Sequence, residues 1–436
     1  MELNSVYMKS ILKSVVAVVA FAVLFSSCTA NVQQAKSDKI VKTGIEVLES
    51  NGFKQLQGKK IGLVTNPSGV NSKLVSTVDI LANAPGVELV ALYGPEHGVR
   101  GDIHAGDKVS DDVDPKTGIP VYSLYGKTRK PSPEMLKDID AIVYDIQDNG
   151  CRSFTFISTL GLLMEAAAEN GKEVIVLDRP NPLGGNKVEG NIVEQGNFSF
   201  VSQFEIPYMY GLTVGELANM LNEEGMLKGE KGTNDTILKC NLTVVPMEGW
   251  KRNMVYTDTK LPWVLPSPHM PQAETSYYYP ATGILGELGY VSIGVGYTLP
   301  FQMVAAPWIE SAPFADALNA LELPGVIFRP INVKPFYSVG AGQNMGGVQI
   351  YVTDYEKAHL TSIQFYIMQV IANMYPDKEV MQNADTGRFR MFDLVTGSNF
   401  IREKFTETKE YKDIEAYWNK DVETFKEKSK KYYLYE

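Results

Sequence analysis

Val87-Glu88-Leu89-Val90-Ala91-Leu92-Tyr93-Gly94-Pro95-Glu96-His97-Gly98-Val99-Arg100-Gly101-Asp102 decides how the rest of the chain is read. The apolar run Val87 to Leu92 has the length and composition of a buried strand. It stops where an acid, an imidazole and a guanidinium arrive together between glycines, the build of a functional loop at a strand end.

Outward from that loop, strand and helix patterns alternate. Lys60 to Thr65, Val87 to Leu92, Ile139 to Tyr144 and Glu173 to Leu177 read as strands, with helices predicted over Lys73 to Ala82 and Phe156 to Glu169. Leu160, Leu163, Met164 and Ala167 recur at helical spacing, and Gly171 stands where a left-handed cap belongs. Alternation of this kind implies βαβ units and a mostly parallel sheet. Thr213-Val214-Gly215-Glu216 forms a capping box that opens a helix running to about Glu224 and ending at Gly225. Thr236 to Val245 reads as a strand, and a Pro-rich, aromatic stretch follows from Trp250 to Tyr279.

A chain of 436 residues, 44% hydrophobic and 21% charged, buries a large core and is longer than one domain usually is. The expected boundary lies near residue 285, giving an α/β domain over 41–285 and a smaller α+β domain over 286–436. In the second, Val348, Ile350 and Val352 alternate as a half-exposed strand. Ser362 to Met374 is an apolar helix ended by Pro376, and Ile414, Trp418, Val422 and Phe425 form a core stripe. A net charge of −10 argues against nucleic acid as a partner, because neutralising phosphates needs a basic face.

Residues 1–28 read as an address. Lys9 and Lys13 precede the apolar segment Val15 to Phe25, too short to span a bilayer, and Ser26-Ser27-Cys28 follows. This resembles a bacterial lipobox, with Cys28 as the lipidated first residue of the mature chain and 29–40 as a tether. Phe25 is untypical there, Met8 is an alternative start, and ordinary secretion is the competing reading. Either way the protein is expected to be exported. Cys151 and Cys240 are too few for a disulfide framework or a thiolate metal site.

Ligands of open parallel sheets sit beyond the carboxyl ends of the strands. In chain order those ends carry Asn66 and Ser68; Glu96, His97 and Arg100; Asp145, Gln147, Asp148 and Arg152; and Asp178, Arg179 and Asn181. Paired carboxylates on such a rim suit acid–base work, with glycosidic cleavage the commonest use. Glu96 is the candidate acid, and Asp145 and Asp148 are candidates for its partner. Retaining and inverting enzymes differ in carboxyl separation, about 5 Å against roughly 6.5–9.5 Å, which spacing in sequence does not give. A 2-acetamido sugar could also assist its own cleavage.

Other chemistries have weaker signals. His97, Asp102, His104 and Asp107 lie close together, but their spacing fits no short metal-site motif, so metal-assisted hydrolysis stays an alternative and no metal or cofactor is expected. No G-x-S-x-G elbow occurs. Asp178 to Gly185 lacks the endings of phosphate-binding loops.

Ile61 to Gly69, Gly94-Pro95-Glu96-His97-Gly98, Asp114 to Gly126, Asp145-Ile146-Gln147-Asp148, Asp178 to Pro182, Pro266-Ser267-Pro268-His269-Met270-Pro271 and Tyr433-Leu434-Tyr435 together resemble the NamZ-type exo-β-N-acetylmuramidases. The resemblance implies a Rossmann-like larger domain, a smaller C-terminal domain and a cleft between them. It also implies release of N-acetylmuramic acid from non-reducing ends of peptidoglycan fragments, with Glu96 matching the family's cleft glutamate. His269, in the proline-bracketed motif, joins the substrate-binding candidates. Arg100, Arg152 or Arg179 would clamp the lactyl carboxylate, although each could equally be an ion-pair strut. The chain departs from the family pattern at Val295, where an arginine is usual, and at Gln302, where a glutamate is usual. The departures point to a reshaped pocket; the rival reading is a non-catalytic glycan-binding envelope lipoprotein that kept the fold.

Overall fold

The computed structural model describes residues 40–101, 112–126, 128–229 and 236–436. The expected signal segment, Cys28 and nearly all of the tether lie outside the described residues, as do Asp102, His104 and Asp107.

In the first half the described elements are α1 (Gly44–Ser50), β1 (Lys60–Thr65), α2 (Thr77–Ala82), β2 (Glu88–Gly94), β3 (Asp112–Val113), β4 (Pro120–Ser123), α3 (Pro133–Leu136), β5 (Ala141–Asp145), α4 (Phe156–Glu169), β6 (Glu173–Leu177), α5 (Val214–Glu223) and β7 (Asn241–Val245). They build a seven-stranded sheet in the order β3-β4-β2-β1-β5-β6-β7. All neighbours are parallel except the short edge pair β3 and β4. From β1 the order runs outward in both directions, so the topological switch point falls between β1 and β5, where ligand crevices form.

Both faces of this sheet are covered, which is why its strands are apolar throughout rather than alternating. Ile142, Tyr144, Val174 and Val176 pack with α4 and α5 on one face; Ala141, Val143, Ile175 and Leu177 pack with α1 and α2 on the other. The capping box of α5 forms as read, with Thr213 Oγ1 accepting from Glu216 N and Glu216 Oε2 accepting from Thr213 N.

The second half continues with α6 (Thr275–Gly286), β8 (Met303–Ala306), α7 (Ser311–Asn319), β9 (Val326–Val333), β10 (Met345–Val352) and α8 (Ser362–Met374). The short helices α9 (Val380–Asn383), α10 (Phe389–Thr396), α11 (Asn399–Thr408), α12 (Lys412–Trp418) and α13 (Val422–Ser429) end it. Here β8-β10-β9 make an antiparallel sheet, the smaller second domain of the fold. Its helices share a core with the first half, because Cys151, Leu183, Tyr208 and Met209 pack in the same cluster as Val348, Ile350 and Trp418. The boundary read near residue 285 falls at the end of α6.

The chain also returns to where it began. Tyr435 Oη donates to Asp178 Oδ2 at 2.5 Å, Arg252 N donates to Glu436 O, and the Arg252 guanidinium lies 3.3 Å from the Tyr433 ring centre.

Several elements differ from their sequence reading. The helix expected from Lys73 starts only at Thr77, because Asn71 Oδ1 accepts from the amides of Lys73 and Val75 and Leu74 is left-handed, a turn that Ser76 then caps. The strand expected from Thr236 begins at Asn241. The core stripe is carried by two helices, α12 and α13, broken at Asn419. The strands β3, β4, β8 and β9 were not read at all; β9 contains Pro330, tolerated because β9 is an edge.

Candidate active site

The loop after β2 is tight. Gly98 N donates to Pro95 O, and a Cβ on Gly94 would lie 3.2 Å from Gly98 Cα, so a side chain there would crowd the turn. His97 is buried and left-handed, with φ of 77°, a conformation costing a non-glycine residue on the order of 1 kcal/mol. That turn holds Glu96 half-buried at the rim. Thr155 Oγ1 donates to Glu96 Oε2 at 3.4 Å from the segment that joins β5 to α4. The contact therefore joins loops following β2 and β5, the strands on either side of β1.

A third strand contributes Tyr125. Leu124 N donates to Gly94 O, which seats the end of β4 against the loop, and the Tyr125 hydroxyl hydrogen-bonds Glu96. Burial first, then the Glu96 charge and its hydrogen bond, push the Tyr125 phenol up to about 12, while Arg129 pulls the other way. Beside them Ser153 Oγ bonds the hydroxyls of Tyr208 and Tyr279 at 3.0 and 3.1 Å. The rings of Phe154 and Phe301 meet Tyr279 at 5.6 and 4.9 Å. Burial raises the Tyr279 phenol, and the charges of Glu287 and Glu96 both add to it. Glu287, just past α6, is raised by burial and held down by Arg388. Two carboxylates from distant parts of the chain thus act on one hydroxyl.

Glu96 is the one catalytic candidate that stands among these groups, and the other strand-end residues are mostly spent on the fold. Asp145 is wholly buried and accepts from Arg179 Nε at 2.5 Å, Arg179 Nη2 at 3.0 Å and Thr77 Oγ1. Asp148 is buried and accepts from the Tyr210 hydroxyl and Gly150 N. Neither was given these partners by the sequence reading, which placed them opposite Glu96. Asn66 bonds Pro266 O and Ser68 N; Gln147 bonds the carbonyls of Asp148 and Pro180; Asn181 bonds Leu212 O and Leu183 N. Asp178 accepts from Thr213 Oγ1, Gly215 N, Arg179 N and Tyr435 Oη. His269, half-buried in its loop, bonds the exposed Tyr337 hydroxyl at 2.8 Å.

The three arginines named as carboxylate clamps all carry bonds within the chain, Arg152 and Arg179 buried and Arg100 exposed. Arg100 forks onto Asp114 at 2.8 and 3.1 Å and holds that carboxyl down at about 2. Arg179 forks onto Asp145. Arg152 is fully buried and donates to Ser202 Oγ and to the carbonyls of Asn191, Ile206, Val395 and Thr396. No N–H fork remains on it for a substrate.

Asp148 carries a pH prediction. Burial pushes its carboxyl up to about 6, against the bonds from Tyr210 and Gly150 that favour the anion. An unfolded aspartate titrates near about 3.9, so the folded state keeps a proton that the unfolded state has released. The stabilisation is full below about pH 4 and is lost as pH rises through about 6. Asp178, also raised to about 6 by burial, adds to the same slope. Asp148→Asn keeps both acceptor bonds and removes one titration, so its stability relative to the parent should improve on the order of 2 kcal/mol between pH 4 and 7. Urea unfolding at the two pH values measures this; parallel losses in both proteins would refute it.

Doubly wound sheet, switch-point rim, and a glutamate set among hydroxyls and aromatic rings define an α/β protein with a carboxylate-centred site at the strand ends. Family models described as exo-beta-N-acetylmuramidase NamZ, N-terminal and C-terminal, match residues 61–274 and 277–435, and the chain belongs to this family. It is 46% identical over 403 residues to the peptidoglycan beta-N-acetylmuramidase NamZ of Bacillus subtilis (strain 168), covering 92% of this chain and 93% of that one. A crystal structure of a DUF1343 family protein from Bacteroides fragilis NCTC 9343 is similar at 61% identity and a TM-score of 0.86, over 91% of this chain and 99% of that one. A second protein of that family and strain is 27% identical, with a TM-score of 0.70 over the same shares.

Proposed function

We propose that this protein is an exo-acting glycoside hydrolase that releases N-acetylmuramic acid, or a related 2-acetamido sugar, from non-reducing ends of peptidoglycan fragments. The observation that carries the reading is Glu96, half-buried at the switch-point rim between Thr155 and Tyr125, in a chain of the NamZ family. Glu96 donates its proton to the leaving glycosidic oxygen as the C1–O bond breaks and water, or first the sugar's own 2-acetamido oxygen, bonds to C1, while the two hydroxyls hold the carboxyl in one orientation and steady the anion it becomes. The partly exposed Tyr279 and Phe301 rings give the sugar an apolar wall.

The departures from the family pattern favour a second reading, in which the glycan is bound and not cleaved. Val295 packs half-buried against the second domain's core, and Gln302 turns its amide toward Ile350 O, so neither supplies a charge. Incubating the full chain in detergent with a 4-nitrophenyl N-acetylmuramide and the matching N-acetylglucosaminide separates the two. Release from the muramide is expected; binding without release from either would replace the enzyme with a lectin.

Export and acylation at Cys28 belong to the same proposal, supported by Lys9, Lys13, the apolar run to Phe25 and the small residues before the cysteine. The anchor would hold the enzyme at the bacterial envelope facing the periplasm, where wall fragments arise.

A further inference from the structure

Arg152 and Arg179 are consumed inside the fold and Arg100, though exposed, is forked onto Asp114, yet a muramyl ring carries a carboxylate. An acidic chain, at −10 overall, repels such a substrate unless a local cation receives it. The structure offers one in the segment that carries Tyr125, a hydrogen-bond partner of Glu96.

Arg129 follows β4 by a few residues and is exposed. Its guanidinium carbon lies 4.2 Å from the centre of the Phe200 ring, and among the described residues it makes no ion pair. Two routes tie it to the acid. Tyr125, four residues earlier, hydrogen-bonds Glu96 and stands in the field of Arg129. Phe200 sits in the turn closed by the Ser199–Ser202 bridge, which Arg152 holds through Ser202 Oγ, and Arg152 lies in the same segment as Thr155, the other partner of Glu96. Arg388, the other arginine near these groups, is already set against Glu287.

We propose that Arg129 is the specificity-determining cation of this site, receiving the lactyl carboxylate of a muramyl sugar, with Phe200 as its positioning residue. The inference rests on the function proposed above. A guanidinium held over a ring keeps its charge and its N–H donors, the groups a bidentate carboxylate needs. A sugar without the lactyl ether has nothing to place there, so Arg129 discriminates by charge and fork geometry while Glu96 does the chemistry.

The test uses the full chain in detergent, its Arg129→Ala, Arg129→Lys and Phe200→Leu variants, and three 4-nitrophenyl glycosides: the N-acetylmuramide, its lactyl methyl ester and the N-acetylglucosaminide. Arg129→Ala should lose at least about tenfold in kcat/KM on the free acid, mainly through KM, the scale of a charge-assisted bond. It should change less than about twofold on the ester and the glucosaminide. Arg129→Lys should recover part of the loss, since it keeps the charge and drops the fork, and Phe200→Leu should show a smaller loss of the same kind. Because Arg129 is exposed, thermal melting should not move. An unchanged ratio of acid to ester in Arg129→Ala overturns the inference. If the parent cleaves nothing but binds free N-acetylmuramic acid by calorimetry, the hydrolase reading falls; loss of that binding in Arg129→Ala then upholds Arg129 as the clamp, and its retention overturns it. A parent that neither cleaves nor binds overturns both.

Discussion

Glu96→Gln is expected to leave the chain folded and to lower turnover of a muramyl disaccharide, whose leaving sugar hydroxyl needs a proton, at least about a hundredfold, the lower end of what a positioned general acid supplies. The amide matches the carboxyl in size and its oxygen still accepts from Thr155, so the tight Gly94–Gly98 turn has no reason to move. What it lacks is a proton to give. The loss should fall on kcat while KM changes little, because the leaving oxygen is protonated only in the transition state. A substrate whose leaving group needs no proton, such as a 2,4-dinitrophenyl glycoside, should recover much of the rate. Near-parent activity on the muramyl disaccharide would remove Glu96 from this role and turn attention to Glu287, the other carboxylate whose charge reaches Tyr279.

Arg152→Ala should instead damage the fold. Its guanidinium satisfies one hydroxyl and four carbonyls, drawn from Asn191, Ile206, Val395 and Thr396, all out of contact with water. Removing it opens a cavity and strands those acceptors, and each buried orphan costs about 1–3 kcal/mol. A total loss of at least about 4 kcal/mol follows, large enough to show as insolubility or a much lower urea midpoint. Lysine has too few donors to reach all five acceptors and should rescue only in part. Had Arg152 been the carboxylate clamp, the alanine variant would fold normally and lose only muramide selectivity, so urea unfolding beside substrate kinetics separates the two roles.

The mirrored fates of Glu96 and Arg152 show where local sequence carries information. The strands β1, β2, β5 and β6 were legible because burial on both faces makes them continuous apolar runs, whereas the short, partly exposed β3 and β4 were not read; α4 and α8 were legible from their apolar residues and clear stops. The rim could be listed because residues after parallel strands share one edge. Which of them face solvent could not, since an arginine spent on Asp145 and one free for a ligand are the same letter. Spacing was silent on Arg179 meeting Asp145 across 34 positions. Tyr279 and Glu287 were missed because they come from α6, inside and just past a Pro-rich aromatic stretch without period. Arg129 carried no motif; only its exposure beside Phe200 and its lack of a partner among the described residues single it out.

Asp178 was expected at the substrate and is found tying a knot. Gly44 N from α1 donates to its carbonyl, the capped end of α5 donates to its carboxylate, and so does Tyr435 from 257 positions downstream. A ribosome delivers β6 long before it delivers the tyrosine that locks it. During synthesis the larger sheet therefore exists with its Asp178 corner unsealed, and loop closure over that span is slow compared with local helix formation. The corner can close only after the whole second half of the chain has been made, because its last tie joins one aspartate to one tyrosine 257 positions on.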